Sequence, residues 1–338
     1  MGLYDKKKNI AWIFRSKERN EHSIENVFDS LENHFDKQYE IKKYYLPSPY
    51  YNSIRNIKRN IDYVNEIQAD IIHITGECYC IVPFLKHKHV LITMHDYNNL
   101  ENNRGVKRLA SYLLFDYFPL KKCSMVTCIS NEVLDQTNER FYFCKNKSIL
   151  IPDPVNDLFK SKKKKFNKEC PNLLVVGTRE NKNLGRIIEA VAGLSCRLII
   201  IGKLERKYEL SLKEKNIIYI NKYNISNEEM YDQYCDCDIV CFPSTFEGFG
   251  MPIIEGQATG RVILTSNIEP MKDVSGGAAI LVDPYVVDSI KEGLLRIIND
   301  DDNRDELIHR GFINAEKYNA SIIAQNYQKI YERLKEHE

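Results

Sequence analysis

Short, uninterrupted apolar runs alternate with helical patterns along the chain, and this alternation restricts the possible folds more than any other feature. In the first half the runs fall at residues 9–14 (NIAWIF), 70–75 (DIIHIT), 90–94 (VLITM) and 124–129 (SMVTCI). Residues 23–35 carry helical spacing through Ile24, Val27, Phe28, Leu31 and Phe35. A strand that is apolar throughout is covered on both faces, and helices between successive strands do the covering, so the pattern predicts a parallel sheet. It breaks over residues 152–168, where two prolines and the run Lys162 to Lys165 read as an exposed interdomain linker. A contact between those lysines and anionic lipid or nucleic acid is the competing reading. Strands then resume at 172–176 (NLLVV), 197–201 (RLIII), 217–220, 238–242 (DIVCF), 261–264 and 279–282. Helices fill the gaps, and three more helical stretches, near 287–298, 305–318 and 321–336, end the chain. The expected architecture is α/β, with two doubly wound parallel-sheet (Rossmann-like) domains facing across a cleft. The expected boundaries are 1–155 for the first domain, 156–169 for the linker, 170–318 for the second, and 319–338 for a helix packing back on the first. Ligands bind at strand carboxyl ends in such sheets.

Composition removes several function classes. At 338 residues the chain exceeds what one hydrophobic core usually supports. Its 48 basic and 47 acidic residues leave a net charge of +1, without the basic excess that marks a nucleic-acid partner. No stretch approaches the roughly 18 apolar residues of a membrane span, and the first residues hold too short an apolar run for a secretory signal. The ten cysteines are therefore expected as reduced, structural thiols in a cytoplasmic protein. Their C-x-C pairs, Cys78 with Cys80 and Cys235 with Cys237, lack the C-x-x-C partners of common metal sites, so no metal is expected.

The most specific segment is FPSTFEGFGMPIIE, residues 242–255. It follows the DIVCF strand and opens a helix near Met251. A strand-end loop feeding a helix N-terminus is where α/β sheets bind anions. Gly248 and Gly250 clear side chains so that backbone N–H groups can approach a ligand, and Pro252 suits a first helical turn. Glu247 and, eight residues on, Glu255 supply carboxylates that can each accept two hydroxyl hydrogen bonds, as ribose and sugar diols require. A surface turn and a solvated helix face are the bland alternative for an isolated E-x7-E spacing; the glycine-rich setting favours the functional one.

The stretch CDIVCFPSTFEGFGMPIIEGQATGRVILTSN resembles the donor-site signature of the GT-B glycosyltransferases of family 4. PMKDV (270–274), GGAAILVDP (276–284) and VVGTRENKNL (175–184) continue the resemblance over residues 172–300. In the first half it is thinner, resting on residues 70–75, TMHD (93–96), TCIS (127–130) and Ile151-Pro152. The resemblance implies a retaining, hexosyl-type enzyme, independent of metal and without a tightly bound cofactor, using a nucleoside-diphosphate sugar as co-substrate. By the same resemblance Glu255 binds the ribose and Glu247 the transferred sugar, with the backbone of Phe249, Gly250 and Met251 assisting. Lys182 and Arg179 contact the diphosphate, and Gly177 and Ser244 also line the donor. A fixed cation there stabilises the charge of the departing diphosphate without solvent reorganisation. Arg179 and Lys182 are separated by Glu180 and Asn181, unlike the closer pair of many relatives, so a loop salt bridge competes for Arg179. His95, at the end of VLITM, is implied to sit beside the sugar, whereas His73 within DIIHIT reads as a satisfied core histidine.

The chain departs from the family after its first strand, where many relatives carry a glycine-rich loop. Here stands RSKERNEHSIE (15–25), and Arg15, Arg19 or Ser23 could face the acceptor, with solvent exposure the alternative. KKYYLPSPYY (42–51) mixes basic and aromatic residues, and residues 107–122 read as an amphipathic helix with basic ends. Such surfaces fit an anionic membrane or an acceptor glycan; packing of that helix through Leu109, Leu113 and Phe118 is the alternative. The acceptor class stays open between a glycan, a lipid-linked sugar and a small molecule. Competing functions are a non-catalytic sugar-nucleotide-binding or assembly protein, and a GT-B-type epimerase or phosphorylase.

Overall fold

The computed structural model describes residues 7–17, 23–49, 53–97 and 105–336. The chain forms two compact units, Met1–Pro154 joined by Ala320–Glu338, and Val155–Asn319.

In the first unit six strands, all paired in parallel, lie in the order β2-β1-β3-β4-β5-β6. They are β1 (Lys8–Phe14), β2 (Tyr39–Tyr45), β3 (Ile71–Ile74), β4 (Val90–Met94), β5 (Met125–Cys128) and β6 (Ser148–Leu150). Four match apolar runs of the sequence. The other two, β2 and β6, form the edges of the sheet, where half of the surface stays wet and an apolar run is not required. The basic and aromatic stretch at 42–51 is thus partly an edge strand. Its Lys43 Nζ donates to Asp29 Oδ1 at 2.7 Å and to Glu32 Oε2 at 2.6 Å, both on the helix Ser23–Glu32.

One face of this sheet is closed by the helices Ser23–Glu32 and Ala320–Glu336, whose Phe28, Leu31, Tyr327 and Tyr331 pack with Trp12 and Phe14. A buried polar chain pins the last helix in register. Trp12 Nε1 donates to Tyr331 Oη at 2.9 Å, while the His73 ring is held between Tyr331 Oη and Thr93 Oγ1, each at 2.8 Å. His73 is the satisfied core histidine that its place in the strand suggests, and burial drives its pKa down to about 3.

Residues 107–122 do not form one regular helix. An α-helix, Gly105–Ser111, widens into a π-turn, Tyr112–Tyr117, before a short helix, Phe118–Lys122. Phe118 N–H reaches back to Leu113 O, and Pro119 has no N–H with which to continue the α ladder. Leu109 and Phe118, which the packing alternative would bury, are 58% and 45% exposed, while Leu113 is half-buried.

The second unit repeats the architecture, in the order β12-β11-β10-β7-β8-β9, again with all strands parallel. Its strands are β7 (Asn172–Val176), β8 (Arg197–Ile201), β9 (Ile218–Lys222), β10 (Ile239–Phe242), β11 (Val262–Ser266) and β12 (Ile280–Val282). Read from the β9 edge this is the 3-2-1-4-5-6 order of dinucleotide-binding folds, and the order reverses between β7 and β10. Continuous apolar strands such as RLIII are sandwiched by the helices Leu184–Val191 and Val287–Asn299 on one face. Residues 156–169 are mostly exposed yet laced to this unit: Lys164 pairs with Asp238, and Arg261 Nη2 donates to Lys162 O at 2.8 Å.

All ten cysteines are free thiols and nine are buried. Burial pushes Cys80, Cys123, Cys128 and Cys237 up to about 12, far from a reactive thiolate.

Candidate functional site

The residues singled out in the second half converge where the sheet order reverses, on the loops that follow β7 and β10. After β7 the chain passes Gly177, whose φ of +94° suits glycine. A Cβ there would stand 2.9 Å from Lys182 Cγ and 3.1 Å from Cε, so the bare backbone is the floor on which the lysine stem lies. A single 3₁₀ turn, Glu180–Lys182, then presents the lysine. Asn183 closes that turn in the left-handed conformation, φ +62°, and anchors it: its Nδ2 donates to Pro243 O at 2.9 Å and to Pro284 O at 2.6 Å. The loop after β7 is thereby bolted to the loop after β10.

Lys182 Nζ meets Glu247 Oε1 at 2.7 Å and lies 4.9 Å above the Phe242 ring. Asn181 Nδ2 donates to Phe246 O at 2.9 Å and to Glu247 Oε1 at 3.3 Å, and Thr245 N–H donates to Asn181 O at 2.8 Å. Glu247 is thus held from two sides. Downstream, Gly250 (φ +117°) is the N-cap of the helix Met251–Ala258, with Pro252 in its first turn. The Phe249 side chain is buried edge-on against Tyr318, with centroids 5.6 Å apart, so at that position the backbone is what a ligand could use. Ser244 is fully buried; its carbonyl accepts from Ser266 Oγ at 2.5 Å, while its own Oγ has no hydrogen-bond partner among the described residues.

Glu255 follows one turn into the helix. Its neighbour Gly256 lets the helix press on the sheet: a Cβ would come within 2.6 Å of Ile263 Cδ1 and 2.7 Å of Val240 Cγ2. Glu255 keeps a partly accessible edge, and Tyr234 Oη donates to its Oε2 at 2.5 Å. Burial raises the carboxyl to about 7, against the opposing pull of the Tyr234 hydrogen bond and the nearby Lys182 charge. Two carboxylates, one lysine between them in influence, and a glycine-capped helix N-terminus form a site suited to hydroxyls and to an anion.

Residues 156–312 match the model of the glycosyl transferases group 1. An uncharacterised glycosyltransferase of Methanocaldococcus jannaschii is 24% identical over 269 residues, 75% of this chain and 72% of the relative. Among solved structures, sucrose-phosphate synthase from Thermosynechococcus elongatus superposes with a TM-score of 0.78 at 15% identity, over 98% of this chain and 100% of that one. An Anabaena protein, HepE, solved with UDP and glucose, gives 0.73 at 12% identity, over 95% and 98%. The protein is a glycosyltransferase. Its second unit is a group 1 domain, and its two six-stranded parallel sheets are the Rossmann-like units of the GT-B fold.

The remaining residues expected at the glycosyltransferase site fall as follows. Arg179 stands exposed at the start of the 3₁₀ turn. In the first unit His95 follows β4, and its Nε2 donates to Thr75 O at 2.7 Å, which leaves Nδ1 as the nitrogen for other partners. Gly76 lies against that ring: a Cβ there would be 3.2 Å from His95 Cδ2. Arg15 is buried and ion-paired with its own unit, bidentate to Glu25 at 3.3 Å and to Glu77 at 3.1 Å. Ser23 is exposed at the start of its helix, and Arg19 lies outside the described residues. Among the described residues no group of three or more His, Cys, Asp or Glu is arranged to hold a metal ion, and no helix is long and apolar enough to cross a membrane. Sequence reasoning missed Asn181, Asn183 and Tyr234. Asn183 makes no side-chain cap to the helix it precedes, and like Asn181 and Tyr234 it acts through partners distant in sequence, which no local pattern signals.

Proposed function

We propose that the enzyme transfers a sugar from a nucleoside diphosphate to a hydroxyl acceptor, with its donor held by the second unit. The observation that carries this reading is the Lys182–Glu247 pair, 2.7 Å apart, beside the glycine-capped helix whose first turn leads to Glu255. In this reading Glu255 accepts from the ribose hydroxyls and Glu247 from the sugar. Lys182 and the N–H groups of Gly250 and Met251 take the diphosphate, with Arg179, Gly177 and Ser244 lining it. The bond that breaks leaves negative charge on the diphosphate, where a fixed ammonium and a helix N-terminus supply the stabilisation that other enzymes draw from a metal. Retention at the anomeric carbon, metal independence and a sugar-facing role for His95 belong to the same proposal and rest on the family 4 resemblance. The HepE structure, whose ligands are UDP and glucose, supports a nucleotide-sugar donor by likeness of fold.

A glycan, a lipid-linked sugar or a small molecule would serve as acceptor. Exposed Leu109, Leu114 and Phe118 stand with exposed Arg108, Lys121 and Lys122 on one stretch of the first unit. Apolar side chains flanked by cations suit an anionic lipid surface, so a peripheral membrane contact on the cytoplasmic face is part of the proposal. Co-sedimentation with vesicles containing phosphatidylserine, lost at high salt or in Phe118→Glu, supports it; equal sedimentation with neutral vesicles overturns it.

The deciding experiment is calorimetric titration with UDP, GDP, ADP and CDP without added metal, with Glu255→Ala alongside. Binding of one nucleotide that the variant loses is the expected result. No binding of any of the four, or undiminished binding by Glu255→Ala, refutes the donor site.

A further inference from the structure

The helix Asn227–Asp236 lies outside the glycine-rich segment, yet it delivers one side chain to it. Tyr234 is fully buried, and its hydroxyl donates to Glu255 Oε2 at 2.5 Å. We infer that Tyr234 is a positioning residue of the donor site: its hydroxyl fixes the rotamer of the Glu255 carboxylate so that Oε1 is presented to the nucleotide ribose. The inference rests on the donor reading of Glu255 given above.

Three features make the tyrosine a rigid donor. Its ring is met edge-on by Phe159, with centroids 5.3 Å apart and planes at 84°. Its own carbonyl accepts from Arg261 Nε at 2.7 Å, and the same guanidinium holds the carbonyl of Cys235 at 3.0 Å, so the last turn of the helix is clamped to the head of β11. At the other end Ser226 and Glu229 form a reciprocal capping box. A glutamate has three side-chain torsions, and ordering them costs entropy unless a partner has already done so. A carboxylate whose Oε2 is already bonded is held in one orientation, so the lone pairs of Oε1 face the ligand hydroxyls in fixed directions, which is the meaning of preorganisation here.

The charged and titratable groups facing Glu255 are Tyr234 from the neighbouring helix and Lys182 from the loop after β7. Near Tyr234 stand Cys237 and Arg261. Burial favours the protonated carboxyl; the tyrosine and the lysine favour the ionised form that accepts from two hydroxyls. Nucleotide affinity should therefore rise with pH through about 7 and level off above it. Removing the tyrosine hydroxyl moves that midpoint to higher pH.

The test measures the nucleoside-diphosphate Kd of the full chain between pH 5.5 and 9, using whichever nucleotide the wild type binds. Tyr234→Phe should weaken binding about tenfold at pH 7, the size of a hydrogen bond to a charged group, and shift the midpoint upward. Added to Glu255→Gln, it should cost little more. Replacing Tyr234 site-specifically with 3-fluorotyrosine keeps the shape and strengthens the donor, so the midpoint should move downward even if Tyr234→Phe does not fold. Failure of the wild type to bind any nucleotide sinks the donor reading. Wild-type binding with Kd and midpoint unchanged in both variants sinks the positioning role alone. A drop in thermal stability with unchanged Kd and midpoint also overturns it, by reducing the tyrosine to a structural strut.

Discussion

Asn183 shows how one residue sets the site. Its left-handed backbone ends one turn and starts the next helix, while its amide ties together loops 60 and 101 residues away. Asn183→Ala loses both bonds and the side chain best tolerated at positive φ. Unfolding free energy should fall by about 2 to 4 kcal/mol in urea titrations, and Asn183→Gly, which relieves the backbone alone, should recover part of it. Equal stability of the alanine variant would show that the turn holds itself. Lys182 is the contrasting case, argued on chemistry: Lys182→Ala should lower kcat by roughly a hundredfold or more while nucleotide affinity changes less. Parallel losses in kcat and affinity would mean that the lysine binds ground state and transition state alike.

At the scale of elements, the helix Met251–Ala258 is set by two demands, the open N-terminus of the proposed donor site and close contact with the sheet. Gly256 serves the second. Alanine there gains about 1 kcal/mol of helix propensity but overpacks against Ile263 and Val240, at a typical cost of about 1 to 3 kcal/mol. Because both contacts fall below 3 Å, the clash should win. Gly256→Ala should lower Tm and displace Glu255, weakening nucleotide binding with it; a rise in Tm would reverse the ranking of the two effects. How far these elements were legible in sequence follows the same physics. RLIII and DIVCF announce buried parallel strands because both faces are covered. The edge strand β2, with Lys42, Lys43 and three tyrosines, reads instead as a basic aromatic surface. The loop at 242–255 is conspicuous because its glycines and carboxylates are contiguous. Asn183 and Tyr234 work through partners at least 21 residues away, and no local pattern marks such contacts. Arg15 looked available to an acceptor for the same reason: Glu77, one of its partners, lies 62 residues on.

At the scale of the whole molecule, the first unit depends on a buried neutral histidine that joins its sheet to the last helix. His73 has its pKa lowered from 6.5 to about 3, so the folded state takes up its proton later than the unfolded chain. That contribution is complete above pH 6.5 and is lost as pH falls toward 3, on the order of 1.4 kcal/mol for each unit crossed. Denaturant titrations at pH 7, 6 and 5 should show the decline in the first unit, and His73→Gln, less stable at pH 7, should show a flatter profile; parallel profiles would remove the histidine from the account. The last helix has one more consequence. Because the second unit is a continuous stretch inserted into the first, a ribosome finishes the second before it can complete the first. Until residues 320–336 emerge, Trp12, Phe14 and Phe28 lack the tyrosines that cover them. The nascent chain therefore carries an apolar surface until that helix is made, and a segment synthesised after the second unit is what lets the segments synthesised before it mature.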